Sequence, residues 1–230
     1  MTGSLTSLAM AAVFFIASHF LLSHAPVRGA LVSRLGERAF MGFYSVVALG
    51  AVVWLVKAYG AAPYWELWPA AAWTRHVTLS IMPFAAILLV AGLSGRNPTA
   101  MYWNSPESDQ PLPGILLVTR HPVMWAITLW ALAHMIPNGD AASLIFFGAF
   151  AGLALAGMPA IDRRRRAKMG VAWESFEAGT SLLPFAAMIS GRAKVSLGQI
   201  GVWRIAGGVV LYGVLLFGHQ VVIGVSPLIP

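Results

Sequence analysis

Only 10% of the 230 residues are charged and 58% are hydrophobic, against about 25% charged residues in a typical soluble domain. That balance excludes a water-soluble globular chain and makes the lipid bilayer its first partner. The absence of cysteine excludes disulfides, zinc–thiolate sites, iron–sulfur clusters and c-type haem attachment, and the net charge of +7 reads as membrane orientation, with no nucleic acid implied.

Apolar runs predict six spans, at about 4–23, 39–59, 76–94, 122–137, 141–159 and 203–225. Most approach the roughly 20 residues that cross the hydrocarbon core. The first follows MTGSLTSLAM, which lacks a basic n-region and so reads as a retained helix. It contains FFIASHFLLSH, with His19 inside the span and His24 at its end. Arg28, Arg34 and Arg38 follow in the first loop. Trp54, Tyr59, Tyr64, Trp65, Trp68 and Trp73 flank the second loop and read as an interfacial aromatic belt. His76 opens the third span, and Asn97-Pro98 with SPESDQPLPG (105–114) marks the loop beyond it.

The stretch TRHPVMW then brings Arg120, His121 and Pro122 to the start of the fourth span. This span is short, and Pro113 is an alternative start. It ends near His134, before the turn Pro137-Asn138-Gly139-Asp140. After the fifth span, DRRRRAKMG (162–170) is an orientation signal that also attracts anionic lipid. The last span carries His219 beside Gln220. Lys and Arg collect in the first, third and fifth loops, so these face the cytoplasm and both termini face outward. The expected fold is all-α, a polytopic transmembrane helical bundle forming one integral membrane domain over 1–230.

An ionisable residue inside a span is costly and marks a functional candidate. His24 and His76 lie at span ends, where an interfacial position explains them, and His219 has neighbouring backbone to bond. His19, His121 and His134 remain. His24 lies five residues beyond His19 and is turned about 140° around the helix, which rules out an i,i+4 metal pair. His121 and His134 are thirteen residues apart, about 20 Å along a continuous helix, and cannot share one metal. Each therefore needs a partner on another helix. Imidazoles in an apolar setting, without thiolates or several carboxylates, suit haem better than zinc. Interhelical hydrogen bonding and proton relay are the alternatives.

Three stretches together resemble one family: SHFLLSHAPVRGALVSRLGERAF, RHPVMW with LWALAHMIPNGDAASLIFFG, and DRRRRAKMGVAWESFEAGTSLLPF. They are similar to the NnrU family, over about residues 15–190, with the span at 203–225 as an extra. That family includes a carotene cis–trans isomerase branch of plants and cyanobacteria. The resemblance implies a multi-span protein and, in the isomerase branch, haem b held by two histidines. His19 matches the first ligand position and His134 the second. The branch has a cysteine three residues before the second histidine, where this chain has Ala131. Simple span edges put His19 and His134 near opposite membrane faces, and His121 matches His19 better in depth. His19 with His134 is the first expectation, and His19 with His121 the alternative.

Three functions follow from this reading. The first is a haem-dependent membrane protein with redox-linked or isomerase-like activity on a carotenoid-type apolar substrate. In it Trp125, Trp130, Phe146 and Phe147 supply apolar walls. The second is a non-enzymatic accessory protein of nitrogen-oxide respiration, with a redox or respiratory partner protein. The third is an S-adenosylmethionine-dependent membrane methyltransferase, since RHP occurs in such enzymes. There Arg120 and His121 help bind the cofactor, but the following span lacks the expected glutamate and the nearest acid is Asp162. Arg120, Asp162 and the Trp173/Phe176 motif otherwise knit cytoplasmic loops together. The expected location is a bacterial inner membrane.

Overall fold

A computed structural model describes residues 3–100 and 113–228. Eleven helices follow one another: α1 (Leu5–Ser23), α2 (Ala25–Leu35), α3 (Glu37–Ala61), α4 (Ala72–Leu93), α5 (Ile115–Val118), α6 (Pro122–Met135), α7 (Ala141–Met169), α8 (Val171–Ala178), α9 (Ala186–Ile189), α10 (Leu197–Ile200) and α11 (Val202–Ile223). No strand occurs among the described residues, only an isolated bridge between Glu66 and Asp140. α1, α3, α4, α7 and α11 are long and apolar enough to span a bilayer. The fold is therefore an all-helical, multi-pass membrane protein.

The fourth predicted span, α6, is apolar but only 14 residues long, about 21 Å at 1.5 Å per residue. It does not extend back to Pro113 as one helix, because Thr119 is extended at φ −156° and separates it from α5. Pro122 is then the first helical residue, where its missing N–H costs nothing. Residues 105–112 of the SPESDQPLPG run lie outside the described residues.

The chain forms two compact units. One comprises the chain up to Ala71 together with His134–Leu153; the other comprises Ala72–Ala133 and the chain from Ala154.

In the first unit α1 packs against α3. Leu8, Ala11, Ala12, Phe15 and Ser18 are its buried residues, a three-and-four spacing that draws one stripe along the helix. Ser4 caps it, accepting from the Ser7 N–H at 3.1 Å. Across from the helices, the aromatic second loop is pinned to the turn before α7. The Gly139 carbonyl accepts from the N–H groups of Leu67 (2.7 Å) and Trp68 (3.1 Å), and Ala141 N–H donates to Trp65 at 2.9 Å. The Trp68 indole donates to the Ile136 carbonyl at 3.1 Å. Tyr64 and Trp65 are mostly exposed.

In the second unit α4 packs against α11. Gly208 sits so close to Ile87 that a Cβ there would lie 2.5 Å from the Ile87 Cα. Small residues allow such approach where lipid supplies no hydrophobic drive. Polar clips support the packing: Tyr212 donates to the Leu79 carbonyl at 3.2 Å, and Thr78 to the Ala133 carbonyl at 2.7 Å. At one end of these helices Leu88, Ala91, Ile115, Leu116, Val118, Ala126, Trp173 and Phe176 form a buried cluster.

Gly139 gives a sharp test of the loop-to-turn clasp. A Cβ there would lie 2.2 Å from the Trp68 carbonyl oxygen, whereas one at Gly50 meets nothing within 4 Å. Gly139→Ala should lower stability by about 1–3 kcal/mol, read as a lower thermal midpoint in detergent. Gly50→Ala, inside a helix, should leave that midpoint unchanged or raise it.

Candidate functional site

The six histidines separate according to what their ring nitrogens meet. His24 is exposed and caps the N-terminus of α2. His76 is exposed on α4. His219 bonds the Val225 carbonyl through Nδ1 at 2.7 Å. These three have ordinary surface or backbone roles.

His19 lies in the first unit, one turn beyond Phe15 on the packed stripe of α1. Its Nδ1 is 2.7 Å from the Phe15 carbonyl oxygen. A carbonyl only accepts, so Nδ1 is the donor in this bond and Nε2 lies outside it. The ring also meets Phe15 edge-on at 4.8 Å and Tyr44 at 5.9 Å.

His134 lies in the same unit, in the last turn of α6, with its ring stacked on Phe147 at 5.3 Å. Asn138 donates to its carbonyl at 2.7 Å and fastens that helix end. A continuous run of rings connects the two histidines. From His19 it passes to Phe15, then Phe150 (4.9 Å), Phe146 (5.3 Å), Phe147 (5.1 Å) and His134. Tyr59 stacks on Phe146 at 4.4 Å, and its hydroxyl reaches Ser143 Oγ at 2.8 Å. Ser143 in turn donates to Asp140 at 2.5 Å, so the polar end of this aromatic set is satisfied internally.

The apolar walls expected from sequence divide between the units. Phe146 and Phe147 belong to this ring run. Trp125 is in the second unit, where its indole donates to the Leu182 carbonyl at 2.8 Å, and Trp130 lines an apolar cleft there. Phe15, Phe150 and Tyr59 were not singled out from sequence as site residues. The available signal was helical spacing: Phe15 and His19 are four apart, as are Phe146 and Phe150.

His121 occupies different chemistry, in the second unit. Its side chain is fully buried, and Nε2 donates to Asp162 Oδ1 at 2.8 Å. Arg120 grips the other oxygen, Oδ2, through Nε (2.9 Å) and an Nη (2.7 Å). The same Nη reaches Glu177 at 3.0 Å, and Arg166 pairs with the second Glu177 oxygen. Backbone straps hold this cluster. Arg120 N–H donates to Ser181 at 2.9 Å, Phe185 N–H to Val118 at 2.7 Å, and Thr119 Oγ1 to Leu182 at 2.9 Å. Arg120 and Asp162 thus bind the segment before α6 to the basic end of α7. Glu177 was not anticipated. Its signal was position: it follows Phe176, whose burial directs α8 inward, within a chain region dominated by arginine.

Among the described residues no group of three or more His, Cys, Asp or Glu side chains could hold a metal ion. In the second unit Asp162 and Glu177 are already paired with cations.

Removing one partner of a buried ion pair leaves an uncompensated charge. Asp162→Ala, with Arg120 and Asp162 both buried, should cost about 3–5 kcal/mol. Arg166→Ala, on the exposed branch of the network, should leave the thermal midpoint nearly unchanged.

Residues 7–227 match the family model described as NnrU protein. The chain is 27% identical over 172 residues to 15-cis-zeta-carotene isomerase, chloroplastic, of Arabidopsis thaliana, which covers 69% of this chain and 44% of that protein. It is 37% identical over 91 residues to the Zea mays protein of the same name, covering 36% of this chain and 22% of the relative. The chain thus spans less than half the length of these curated relatives. No solved structure matches it. Matched by that family model over nearly its whole length, the chain belongs to the NnrU family.

Proposed function

We propose that this chain is a haem-b membrane protein with His19 and His134 as iron ligands, acting in cis–trans isomerisation of an apolar polyene. The observation that carries the reading is that both imidazoles belong to one unit and end a single run of ring contacts.

The donor set fits the cofactor. Neutral imidazole is a suitable iron ligand, and the ring system of haem needs apolar walls. A ligating histidine commonly donates its other N–H to a carbonyl, which fixes tautomer and orientation; His19 has this arrangement with Phe15. His121 is the weaker candidate, because its Nε2 is committed to Asp162 and its side chain is enclosed. When bound, ferrous haem supplies electron density that lowers the double-bond order of a conjugated chain, with no net oxidation of substrate.

The remaining work falls to the chain's own residues. Phe15, Phe146, Phe147 and Phe150 exclude water and present flat faces to a conjugated ligand. Tyr59, tied to Ser143 and Asp140, holds Phe146 from one side. Ala131 replaces the thiol that the isomerase branch carries, so no cysteine is at hand to exchange with His134. The similarity to 15-cis-zeta-carotene isomerases supports a polyene as the substrate class. The distribution of Lys and Arg supports an orientation with both termini outward.

Two measurements test these proposals. The protein purified from membranes should show a Soret band that shifts on dithionite reduction. His19→Ala and His134→Ala should each abolish it, while His121→Gln, which keeps a donor for Asp162, should retain it. A colourless protein after expression with ample haem would sink the haem reading and favour the accessory role. Orientation can be read by single cysteines, since the chain has none of its own. In intact spheroplasts an impermeant maleimide should label Ala70→Cys at once and Lys194→Cys only after permeabilisation.

A further inference from the structure

The second unit carries a feature that neither haem binding nor isomerisation uses. A cavity of about 770 Å³ opens beside the end of α4, and its lining includes Arg96, Asn97, Thr99 and Arg204. An apolar cleft of about 240 Å³ lies along the same three helices, α4, α6 and α11.

By helical spacing the two lie in line on the same helix faces. On α4, Met82, Ala85, Ala86 and Leu89 line the cleft, and Gly92 and Leu93 line the cavity. These positions follow at three- and four-residue steps, which keeps them on one face. On α6, Ile127 of the cleft lies four residues from Val123 of the cavity. On α11, Leu215 and Leu211 of the cleft lead back by four and seven residues to Arg204. A basic cavity therefore lies in line with an apolar cleft on the same three helices.

The mouth is preorganised. Asn97 Oδ1 accepts from Thr99 N–H at 3.0 Å, and Asn97 Nδ2 donates to the Gly92 carbonyl at 3.3 Å, so the loop after α4 has a fixed form. Arg204 donates through one Nη to the Ile200 carbonyl at 3.0 Å and packs over Trp203, while its Nε is buried without a hydrogen-bond partner. Behind the wall, Arg165 donates to the carbonyl of Ala100, another lining residue, at 2.6 Å. No acidic side chain lines the cavity among the described residues. A cationic mouth above an apolar groove in a membrane-spanning unit matches a ligand with a phosphate head and a hydrocarbon tail.

We propose that this groove is a specific site for an anionic phospholipid, its phosphate held by Arg96 and Arg204 and one acyl chain lying along α4, α6 and α11. The site belongs to one unit and is independent of the histidines, so its failure and the failure of the haem reading are separable.

The test is native mass spectrometry of the full chain in detergent, with added palmitoyl-oleoyl phosphatidylglycerol or the matching phosphatidylcholine. Wild-type protein should retain phosphatidylglycerol with a preference on the order of tenfold. Arg96→Gln with Arg204→Gln should remove that preference, and Leu215→Phe, which narrows the cleft, should weaken retention of both lipids. If the double variant does not fold, Arg204→Lys decides, because it keeps the charge and loses the planar fork; a reduced preference supports the site. Unchanged preference in whichever variant is read overturns the proposal. Displacement of the lipid by millimolar inorganic phosphate alone overturns the lipid assignment in favour of a small phosphate ligand.

Discussion

In a chain bathed by hydrocarbon, each polar group must find its partner within the protein, because no water is present to supply one. That constraint accounts for most of the specific contacts here. Ser18 and Ser23 return their hydroxyls to carbonyls of their own helix. Thr78 clips α4 to α6 through a carbonyl, and Tyr59, Ser143 and Asp140 satisfy one another in sequence. The same requirement makes the Asp162 carboxylate a convergence point, taking His121 on one oxygen and Arg120 on the other. A buried carboxylate with fewer partners would be intolerable.

Partner choice also distinguishes the histidines chemically. His121 is spent on a carboxylate inside a charge cluster, where it stabilises the junction between loop segments. His19 donates its Nδ1–H to a backbone carbonyl, a bond in which the other ring nitrogen takes no part. His134 rests flat on Phe147. A run of ring contacts joins the last two, which span edges alone assigned to opposite faces. Five ring contacts carry the connection along α1 and α7.

Small residues have the complementary role. Glycine at 92 and 208 brings helices within van der Waals contact and closes the second unit where they touch. Beside these contacts the same helices leave an apolar cleft and, in line with it, a cavity lined by Arg96 and Arg204.

Much of this was legible in the linear chain. Low charge and long apolar runs established a multi-pass, all-helical membrane protein, and five of six predicted spans are long enough to cross. Motifs in order pointed to the family, and the cost of an imidazole in lipid selected His19, His121 and His134. Other features were not legible, because they depend on which helix faces which. Hydropathy has the same value on every face of an apolar helix, so it does not reveal that Phe15 meets Phe150 or that Glu177 reaches Arg120. It also does not reveal that Thr119 breaks α5 from α6. The sequence by itself determined the solvent of this protein and the scarcity of its polar groups. Tertiary structure decided how those groups pair, since a hydrogen bond or ion pair depends on distances of a few ångströms between residues far apart in the chain.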